Sequence, residues 1–411
     1  MKKILVLITT SFPYGKLEPF IENELEHYSK FDKVIALSLR RIGDARTIDY
    51  PTNFSYDYIK EYKFKRDIKF LLLLVFKKNF WFEIYNLIKT SRFTIRNLHH
   101  LVSLGLQTEH YYRELKKAIE KFKNPKDEYR FYFYSYWMVE HAMCSIMLKK
   151  HYKNAINITR AHGYDLYEYR DKGKYIPYRN YILNNTNYVL PISKDGVRYL
   201  TERYGERDNI KLSRLGTKDY SITPYQKSKY NLTLVSCSWC TEVKRIDLII
   251  KALEKIQNLK IKWIHLGDGP LFENLTKIAK ELLPSNIEYE FKGAVSNKEI
   301  IEYYKQNQID VFINVSASEG IPVSIMEAQS FGIPVIATDV GGVKEIITHN
   351  TNGVLLNKDI KIEELAEEIK KFSLLSENEI TRLRNASRKM WEEKYAARKN
   401  YEQLFNEIIS L

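Results

Sequence analysis

The chain has 411 residues, more than one hydrophobic core usually supports, and with 44% hydrophobic and 28% charged residues it has the composition of a folded globular protein. This composition excludes an intrinsically disordered or fibrous chain. The formal net charge of +14 predicts attraction to polyanions, and three cysteines are too few for a disulfide scaffold, which favours a reducing compartment such as the cytoplasm.

The first half of the chain alternates short apolar runs with helical patterns, which predicts parallel strands joined by helices. Ile4 to Ile8 is predicted to be a buried first strand and not part of a signal peptide, because no small-residue cleavage site follows it. Four further strands are predicted at Val34 to Ser38, Arg130 to Tyr134, Ala155 to Thr159 and Tyr188 to Pro191.

Residues 58–100 depart from this alternation, because lysines and arginines are interleaved there with large aromatic side chains. Monotopic membrane proteins combine apolar side chains with a basic rim in this way, so an anionic membrane surface is a candidate partner. A helical layer with solvated lysines is the alternative. The apolar stretch Phe70 to Phe76 is too short to span a bilayer. No nucleic-acid-binding motif accompanies the charge, so nucleic acid is not expected as a partner.

The segment Tyr204 to Lys229 is polar and contains glycine and proline, as expected of a linker. It divides the chain into an N-terminal domain at 1–205 and a C-terminal domain at 206–385, and a terminal helix at 386–411 is expected to return to the first domain. Six strands are predicted in the second domain, at Leu232 to Cys237, Lys262 to Leu266, Ile287 to Phe291, Val311 to Val315, Val335 to Ala337 and Val354 to Leu356. The pattern predicts an α/β fold with two Rossmann-like parallel sheets.

The stretch from Asp310 to Asn352 is the most informative part of the sequence. A loop with Glu319 and Gly320 follows a buried strand, and Pro322 stands where a proline is tolerated in the first turn of a helix. The positive end of that helix predicts a diphosphate site at the carboxyl ends of the strands. The N–H groups expected to point toward the anion are those of Val323, Ser324 and Ile325.

Glu319 and Glu327 are eight residues apart, which places one carboxylate in the loop and the other in the second turn of the helix. A carboxylate accepts hydrogen bonds from vicinal hydroxyls, so the two could hold a hexose and a ribose of one ligand. Helix capping together with a solvated glutamate is the alternative for such a pair taken alone.

This stretch resembles the Glu-x7-Glu signature of retaining, family-4 glycosyltransferases of the GT-B fold, which include bacterial capsule, exopolysaccharide and lipopolysaccharide enzymes. The resemblance covers nearly the whole second domain, including Gly267 to Pro270, Phe291 to Val295 and the Gly341-Gly342 loop. It is sparser in the first half, at Phe12 to Glu24 and at Thr159 to Asp165. It implies two Rossmann-like domains with a cleft between them, and a C-terminal helix that crosses back. In this family the domain at 1–205 would bind the acceptor, and the domain at 206–385 would bind the nucleotide sugar.

The resemblance also assigns roles to residues of the second domain. Glu319 would contact the transferred sugar and Glu327 the nucleotide ribose, while the backbone near Val295 would hold the base. Lys244 would neutralise the diphosphate and help the nucleotide leave, because a fixed cation stabilises the charge that builds on the leaving group. The rest of the donor site would be formed by Gly320, Ile321, Pro322, Val323 and Ser324.

One position departs from the family pattern. Trp239 stands where many relatives have an arginine that partners the lysine, and Arg245, directly after Lys244, could bind the donor in its place. A surface helix residue is the alternative interpretation of Arg245.

Two residues of the first half complete the predicted site. Gly15 is predicted to let a loop approach the diphosphate, because glycine adopts backbone angles that other residues avoid. His162 matches a family histidine at the end of a strand and is predicted to contact the donor sugar or to position the acceptor, although a lone histidine is often structural. Arg160 and Asp165 are weaker candidates. The predicted catalytic set is Glu319, His162 and Lys244.

No Asp-x-Asp motif occurs, so neither a metal nor a cofactor is expected beyond the nucleotide sugar. Cys237 and Cys240 have the spacing of a metal or redox pair, but a four-ligand zinc site needs a second pair, and a buried strand cysteine is preferred. The absence of Gly-x-Gly-x-x-Gly after the first strand of either half disfavours a dinucleotide dehydrogenase.

The resemblance therefore implies a retaining, metal-independent hexosyltransferase. It would use a nucleotide diphosphate sugar, UDP in preference to GDP, and a saccharide or lipid-linked saccharide acceptor in surface polysaccharide synthesis. The expected location is cytoplasmic, at the inner face of the cell membrane. A non-catalytic GT-B scaffold and another GT-B enzyme, such as a sugar phosphorylase, are the alternatives.

Overall fold

A computed structural model of the chain describes residues 1–63, 70–124, 126–222, 224–226 and 228–410. The contacts divide the chain into two compact units: unit 1 comprises Met1–Ser213 and Glu402–Leu411, and unit 2 comprises Arg214–Tyr401. The division falls inside the segment Tyr204 to Lys229. Among the described residues, none of the helices is both long and apolar enough to cross a membrane.

Unit 1 contains a six-stranded parallel sheet with the order β3-β2-β1-β4-β5-β6. Its strands are β1 Lys2–Thr9, β2 Lys33–Ser38, β3 Phe54–Tyr58, β4 Tyr129–Ser135, β5 Ile156–Ala161 and β6 Tyr188–Pro191. The five strands predicted in this half are confirmed, but β3 was not predicted. It is an edge strand whose side chains are half-buried or exposed, so no apolar run marks it in the sequence.

Besides the 3-10 helix Pro19–Lys30 between β1 and β2, unit 1 contains the α-helices that follow β3 along the chain. They are α1 Phe70–Val75, α2 Lys78–Lys89, α3 Ile95–Lys121, α4 Glu140–His151, α5 Arg179–Asn185 and α6 Lys194–Tyr204. Where residues 58–100 are described, they form α1, α2 and the start of α3. Phe64, Lys65, Arg66 and Lys69 of this basic aromatic segment lie outside the described residues.

Unit 2 contains a second six-stranded parallel sheet with the order β12-β11-β10-β7-β8-β9. Its strands are β7 Leu232–Cys237, β8 Ile261–Leu266, β9 Ile287–Phe291, β10 Val311–Asn314, β11 Val335–Thr338 and β12 Gly353–Leu356. All six predicted strands are confirmed. Because neighbouring strands are parallel, their carboxyl ends meet at one edge of the sheet, where the loops after β7, β10 and β11 lie together.

The helices of unit 2 begin with α7 Ile246–Glu254, α8 Phe272–Leu282, α9 Asn297–Gln306, α10 Val323–Ser330, α11 Val343–Ile346 and α12 Ile362–Ser373. The predicted single terminal helix is instead two helices, α13 Glu377–Lys394 and α14 Ala397–Ser410, and α14 belongs to unit 1 from Glu402 onward. The break arises because Thr217 pairs with the chain there: its N–H donates to the carbonyl of Tyr395 at 2.9 Å, and its carbonyl accepts from the N–H of Ala397 at 3.0 Å.

Candidate functional site

The loop after β10 is held between the segments that follow the two neighbouring strands. The N–H of Ala317 donates to the carbonyl of Val243 at 2.8 Å, and the Thr338 hydroxyl donates to the carbonyl of Ser316 at 2.6 Å. These bonds come from the carboxyl-terminal sides of β7 and β11, so the loop is fixed at the centre of the sheet edge. Glu319 lies in this loop and is buried.

Glu319 and Lys244 form an ion pair. The Nζ of Lys244 lies 2.6 Å from Oε1 of Glu319, and the Asn314 side-chain amide donates to the same oxygen at 3.4 Å. Lys244 ends the short 3-10 turn Glu242–Lys244 that follows β7. The structure thus brings together the two unit 2 residues of the predicted catalytic set, with opposite charges in contact.

The start of α10 presents free backbone donors beside this pair. Pro322 is the N-cap residue, and within the described residues the N–H groups of Val323 and Ser324 have no protein acceptor. Ile325 differs from the expectation, because its N–H donates to the Pro322 carbonyl at 3.2 Å in a tight first turn. Two outward N–H groups, instead of the three that were predicted, remain at the positive end of the helix dipole.

A close backbone approach by Gly341 fixes the loop from its other side. Gly341 has a φ of +54°, and a Cβ at this position would come within 2.0 Å of the carbonyl oxygen of Glu319. The N–H of Gly342 donates to the carbonyl of Gly320 at 2.7 Å. Only glycine satisfies both the left-handed backbone and this contact, so the Gly341-Gly342 loop sets the position of Glu319 and Gly320. Ile321, the next residue, is buried.

Glu327 is buried one helical turn after these amides. The Asn297 side-chain amide donates to its Oε1 at 2.6 Å. Burial raises the pKa of Glu327 to about 7, and the bond from Asn297 opposes part of that rise. Asn297 is the first residue of α9, two residues after Val295, so this bond links the turn predicted to hold the base to the carboxylate predicted to hold the ribose.

Asn297 was not predicted, although a sequence signal was present. Ser296 and Glu299 form a capping box that begins α9. The capping box shows where α9 begins, and so shows that Asn297 is the first residue of that helix. It does not reveal the partner of Asn297, because the contact spans 30 residues of sequence.

Arg245 and Trp239 both follow β7. The Arg245 guanidinium donates to the carbonyls of Val315, Lys358 and Ser316 at 2.6, 2.8 and 3.3 Å. A donor-binding role for Arg245 stays a prediction, and it would require these bonds to be exchanged for phosphate. Trp239 is 58% exposed, so the side chain that replaces the family arginine lies on the surface of unit 2.

The two cysteines of the Cys-x-x-Cys spacing are free thiols. Sγ of Cys240 lies 3.2 Å from Nε2 of His265, whose Nδ1 lies 2.9 Å from the Ser236 hydroxyl. Burial lowers the pKa of His265 to about 4 and raises the pKa of Cys240 to about 11. No group of three or more His, Cys, Asp or Glu side chains suited to a metal ion occurs in the described part of the chain.

In unit 1, Gly15 lies in the loop after β1. It has a φ of +64°, and a Cβ there would come within 2.2 Å of the carbonyl oxygen of Ile42. Its N–H donates to the Asp44 carbonyl at 2.9 Å, and its own carbonyl accepts from Arg46 Nε at 2.6 Å. The glycine is therefore required by packing between two loops of the protein, whereas its approach to a diphosphate stays a prediction.

Glu18 organises the same loop and was not predicted. Its carboxylate accepts hydrogen bonds at 2.9 Å from the N–H groups of three successive residues, Thr10, Ser11 and Phe12. It also accepts from Nε1 of Trp137 at 2.6 Å. A cradle of backbone amides at the end of β1 is thus filled by a carboxylate from the protein itself.

His162 follows β5 and lies among aromatic rings. Its ring centroid is 4.5 Å from that of Trp137 and 5.2 Å from that of Tyr136. Both ring nitrogens are buried and have no hydrogen-bond partner within the described residues, and Nδ1 lies 3.7 Å from Oδ2 of Asp165. The imidazole therefore retains its capacity to bond a ligand.

The side chains of Asp165 and Arg160 contact other groups of the protein. Asp165 accepts from the backbone N–H groups of Met138 and His162 at 2.9 and 2.8 Å. Burial alone would raise the pKa of Asp165, but the interaction with His162 and these bonds hold it below its usual value. Arg160 is fully buried, with Nε 3.4 Å from Oε1 of the buried Glu24. These contacts position the strand end that carries His162.

Residues 223–390 match the family described as glycosyl transferases group 1. The putative colanic acid biosynthesis glycosyltransferase WcaL of Escherichia coli K12 is 27% identical over 229 residues, which are 53% of this chain and 55% of WcaL. N-acetyl-alpha-D-glucosaminyl L-malate synthase of Bacillus anthracis is 25% identical over 240 residues, which are 54% of this chain and 59% of the synthase. The match spans little more than half the length of these curated relatives.

Solved structures resemble the chain over its whole length. Sucrose-phosphate synthase from Thermosynechococcus elongatus superposes with a TM-score of 0.73 at 14% identity, covering 100% of both chains. Anabaena Alr3699/HepE in complex with UDP and glucose gives a TM-score of 0.65 at 14% identity, again covering 100% of both chains. These likenesses confirm the predicted fold class, which is that of the two-domain GT-B proteins.

Proposed function

Since residues 223–390 are a glycosyl transferases group 1 domain in a chain of GT-B fold, we propose that the protein is a retaining hexosyltransferase. It takes the sugar from a nucleotide diphosphate sugar and needs no metal. The acceptor is a saccharide or a lipid-linked saccharide, and the product contributes to a surface polysaccharide.

A single observation carries this proposal: Lys244, in the turn after β7, pairs with Glu319 in the loop that leads into α10. At the start of that helix, the N–H groups of Val323 and Ser324 have no protein acceptor among the described residues. An anion at the helix start would accept hydrogen bonds from both N–H groups and attract the Lys244 ammonium. A diphosphate suits this arrangement, because it presents several oxygens to donors fixed before it arrives. Lys244 then supplies the positive charge that a metal supplies in other transferases.

The proposed reaction proceeds on one face of the sugar. The bond between the anomeric carbon and the phosphate oxygen breaks, and its electrons stay on that oxygen. The acceptor hydroxyl forms the new bond from the same side and gives its proton to the departing phosphate oxygen, so configuration is retained without a protein nucleophile. Lys244 stabilises the charge on the diphosphate, and Glu319 accepts hydrogen bonds from the sugar hydroxyls.

The nucleotide part of the donor would extend from the diphosphate toward α9. Ribose hydroxyls would donate to the Glu327 carboxylate, which Asn297 holds in place at 2.6 Å. The base would lie against the backbone near Val295. We propose UDP in preference to GDP, and the solved complex of HepE with UDP and glucose supports this choice. The similarity to WcaL supports a role in polysaccharide synthesis.

In unit 1, we propose that His162 bonds the donor sugar or positions the acceptor. Support comes from the buried Nε2, which has no hydrogen-bond partner among the described residues, whereas Nδ1 lies near the Asp165 carboxylate. The aromatic rings of Tyr136 and Trp137 fix the plane of the imidazole, so a bond to a ligand would cost little rotational freedom. Gly15 is proposed to bring its loop close to the diphosphate.

We further propose that the protein acts in the cytoplasm, on the inner face of the membrane. The helices α1 and α2 and the turn between them expose large apolar side chains to solvent, as does a surface that lies in the interface of a bilayer. The exposed members are Leu72, Phe76, Trp81, Phe82, Tyr85 and Ile88, with exposures between 52% and 83%. The free thiols are consistent with a reducing compartment.

The direct test is turnover of a panel of UDP- and GDP-sugars, followed as slow hydrolysis and as transfer. Glu319→Ala and Lys244→Ala should each lower turnover about a hundredfold or more, because each removes a group that acts on the reacting sugar or on the leaving group. Lys251→Ala is the matched control, since Lys251 pairs with Asp247 on the surface of α7.

Three results would contradict the proposal. Equal turnover in Glu319→Ala, Lys244→Ala and the wild type would show that neither residue has the role proposed for it. Failure of both UDP and GDP to bind in a calorimetric titration would favour a non-catalytic scaffold. Sugar transfer that consumes free phosphate instead of a nucleotide sugar would favour a phosphorylase.

A further inference from the structure

Two cavities of unit 1 lie beneath α1 and α2, and their lining residues include none of the predicted site residues. One has a volume of about 350 Å³ and is lined mainly by apolar side chains, among them Leu74, Met143 and Met147. The other has a volume of about 450 Å³ and is lined by charged and polar side chains. Both volumes fall in the range of small-molecule sites.

Glu168 is the centre of the polar cavity. Its Oε2 accepts from two guanidinium groups, Arg92 at 2.8 Å and Arg203 at 2.6 Å, and the hydroxyl of Tyr204 donates to its other oxygen. One carboxylate thus faces two cations. The pair of arginines retains one excess positive charge, and both guanidinium groups have further N–H donors that can reach a ligand.

Arg179 adds a third cation to the same cavity wall. Its terminal nitrogens donate to the neutral carbonyls of Met138 and Asp165, and the nearby charge that interacts with it is that of the Glu83 carboxyl. Its Nε is buried and has no partner within the described residues, and the residue is only 2% exposed. A buried, partly unsatisfied guanidinium is costly unless an anion approaches it.

Glu83 is the other acidic residue of the cavity. It is buried and accepts a hydrogen bond from the Tyr175 hydroxyl at 2.7 Å. Burial raises the pKa of Glu83, so its ionised form is disfavoured. Three arginines therefore face one or two carboxylate charges, and the cavity has a net positive charge that suits an anion such as a phosphate group.

The apolar cavity lies next to the polar one. Tyr178 and Tyr181 line the first, while Ile176 and Arg179 line the second, so one stretch of six residues forms a wall of both. The segment from Leu74 to Thr90 covers the two in order: its first part lines the apolar cavity and the α2 residues from Glu83 onward line the polar one. Lys77 and Lys78 also line the apolar cavity.

From this juxtaposition we propose that unit 1 binds an amphiphilic phosphate, a phosphate ester with a lipid chain. The phosphate lies among Arg92, Arg179 and Arg203, and the chain lies in the apolar cavity between Leu74 and Met147. The exposed apolar face of α2 lies on the opposite side of the helix from the polar cavity, which places the ligand close to a bilayer surface. That this amphiphile is the acceptor of the transferase rests on the function proposed above.

Isothermal titration of the full-length protein tests the site with three probes. Dihexanoyl phosphatidic acid carries a phosphate monoester and short chains, glycerol 3-phosphate carries the phosphate alone, and dihexanoyl phosphatidylcholine carries the chains without a net negative charge. We expect phosphatidic acid to bind at least tenfold more tightly than either of the others, because only this probe satisfies both cavities.

Two variants separate the parts of the site. Arg203→Gln should weaken binding of phosphatidic acid about tenfold, since a charged hydrogen bond is lost. Met147→Trp should fill the apolar cavity and reduce binding of phosphatidic acid to the level of glycerol 3-phosphate. Arg198→Gln is the matched control, because Arg198 lies on the same helix as Arg203 and pairs with Asp195 away from the cavity.

The outcomes distinguish this site from general attraction to a basic protein. Equal weakening by Arg198→Gln and Arg203→Gln would overturn the proposal, because both variants remove one positive charge. Equal affinity for phosphatidic acid and glycerol 3-phosphate would also overturn it, in favour of a free-phosphate site. UDP titrated into the wild type tests the proposed function separately. Binding of UDP without binding of phosphatidic acid contradicts only the amphiphilic phosphate site. Binding of phosphatidic acid without binding of UDP contradicts only the transferase.

Discussion

Glu327 shows how burial changes the chemistry of one residue. Its side chain is buried, which raises its pKa, and the hydrogen bond from Asn297 at the start of α9 opposes part of that rise. A carboxyl with a pKa of about 7 is half protonated at neutral pH, so its capacity to accept hydrogen bonds from a ribose depends on pH. Nucleotide affinity should therefore increase as pH rises through this value.

The same pKa predicts a pH dependence of stability. The folded chain holds the Glu327 proton more tightly than the unfolded chain, so this residue lowers the free energy of unfolding as pH rises from about 4.5 to about 7. Compared with that of Glu327→Gln, the free energy of unfolding of the wild type should fall by about 3 kcal/mol as pH rises from about 4.5 to about 7. Denaturant titrations of both proteins at pH 5 and pH 8 measure the change, and a constant difference between them would contradict it.

At the scale of one element, the loop after β10 depends on a glycine from a different loop. Gly341→Ala would place a methyl group 2.0 Å from the Glu319 carbonyl oxygen at a φ of +54°, so the loop must move. We expect a loss of about 1 to 3 kcal/mol of stability, with turnover lowered at least tenfold because Glu319 leaves its position.

A second glycine separates the two causes of this effect. Gly43 has a φ of +75°, but a Cβ there meets nothing nearer than 3.8 Å. Gly43→Ala therefore imposes the backbone strain without the close contact. If both variants lose the same turnover in the donor hydrolysis assay, the contact between Gly341 and Glu319 is not what positions the carboxylate.

At the scale of the whole molecule, the net charge of +14 and the exposed apolar side chains of α1 and α2 predict binding to anionic membranes. Co-sedimentation with vesicles of phosphatidylcholine and phosphatidylglycerol should fall steeply as salt is raised from 0.05 to about 0.5 M, because screening shortens the electrostatic range. Phe76→Ser should weaken binding severalfold at every salt concentration.

Leu374→Ser provides the comparison for that experiment. Leu374 is 76% exposed, similar to Phe76 at 83%, but it lies in unit 2 beyond the end of α12. Its substitution should leave vesicle binding unchanged. Equal losses in the two variants would indicate that general surface hydrophobicity, and not the face formed by α1 and α2, governs the association.

Much of the fold was predictable because buried parallel strands are short apolar runs. Eleven of the twelve strands that the described residues form follow from such runs. The strand β3 was missed because all of its side chains are half-buried or exposed, so no run of buried apolar residues marks it. The terminal helices were predicted as one, since the interruption at Tyr395 depends on pairing with Thr217, which is distant in sequence.

The site was predictable to the extent that its parts are local. The sequence by itself determined that a helix beginning near Pro322 follows a strand, with Glu319 in the loop before the helix and Glu327 in its second turn, because helix signals depend on neighbouring residues. Only the tertiary structure decided that Lys244 pairs with Glu319, that Asn297 holds Glu327, that Arg245 binds carbonyls and that Glu18 fills the amide cradle after β1. These contacts join side chains to distant strand ends or to backbone amides, and such partners are set by sheet order and loop packing, which local sequence patterns do not encode.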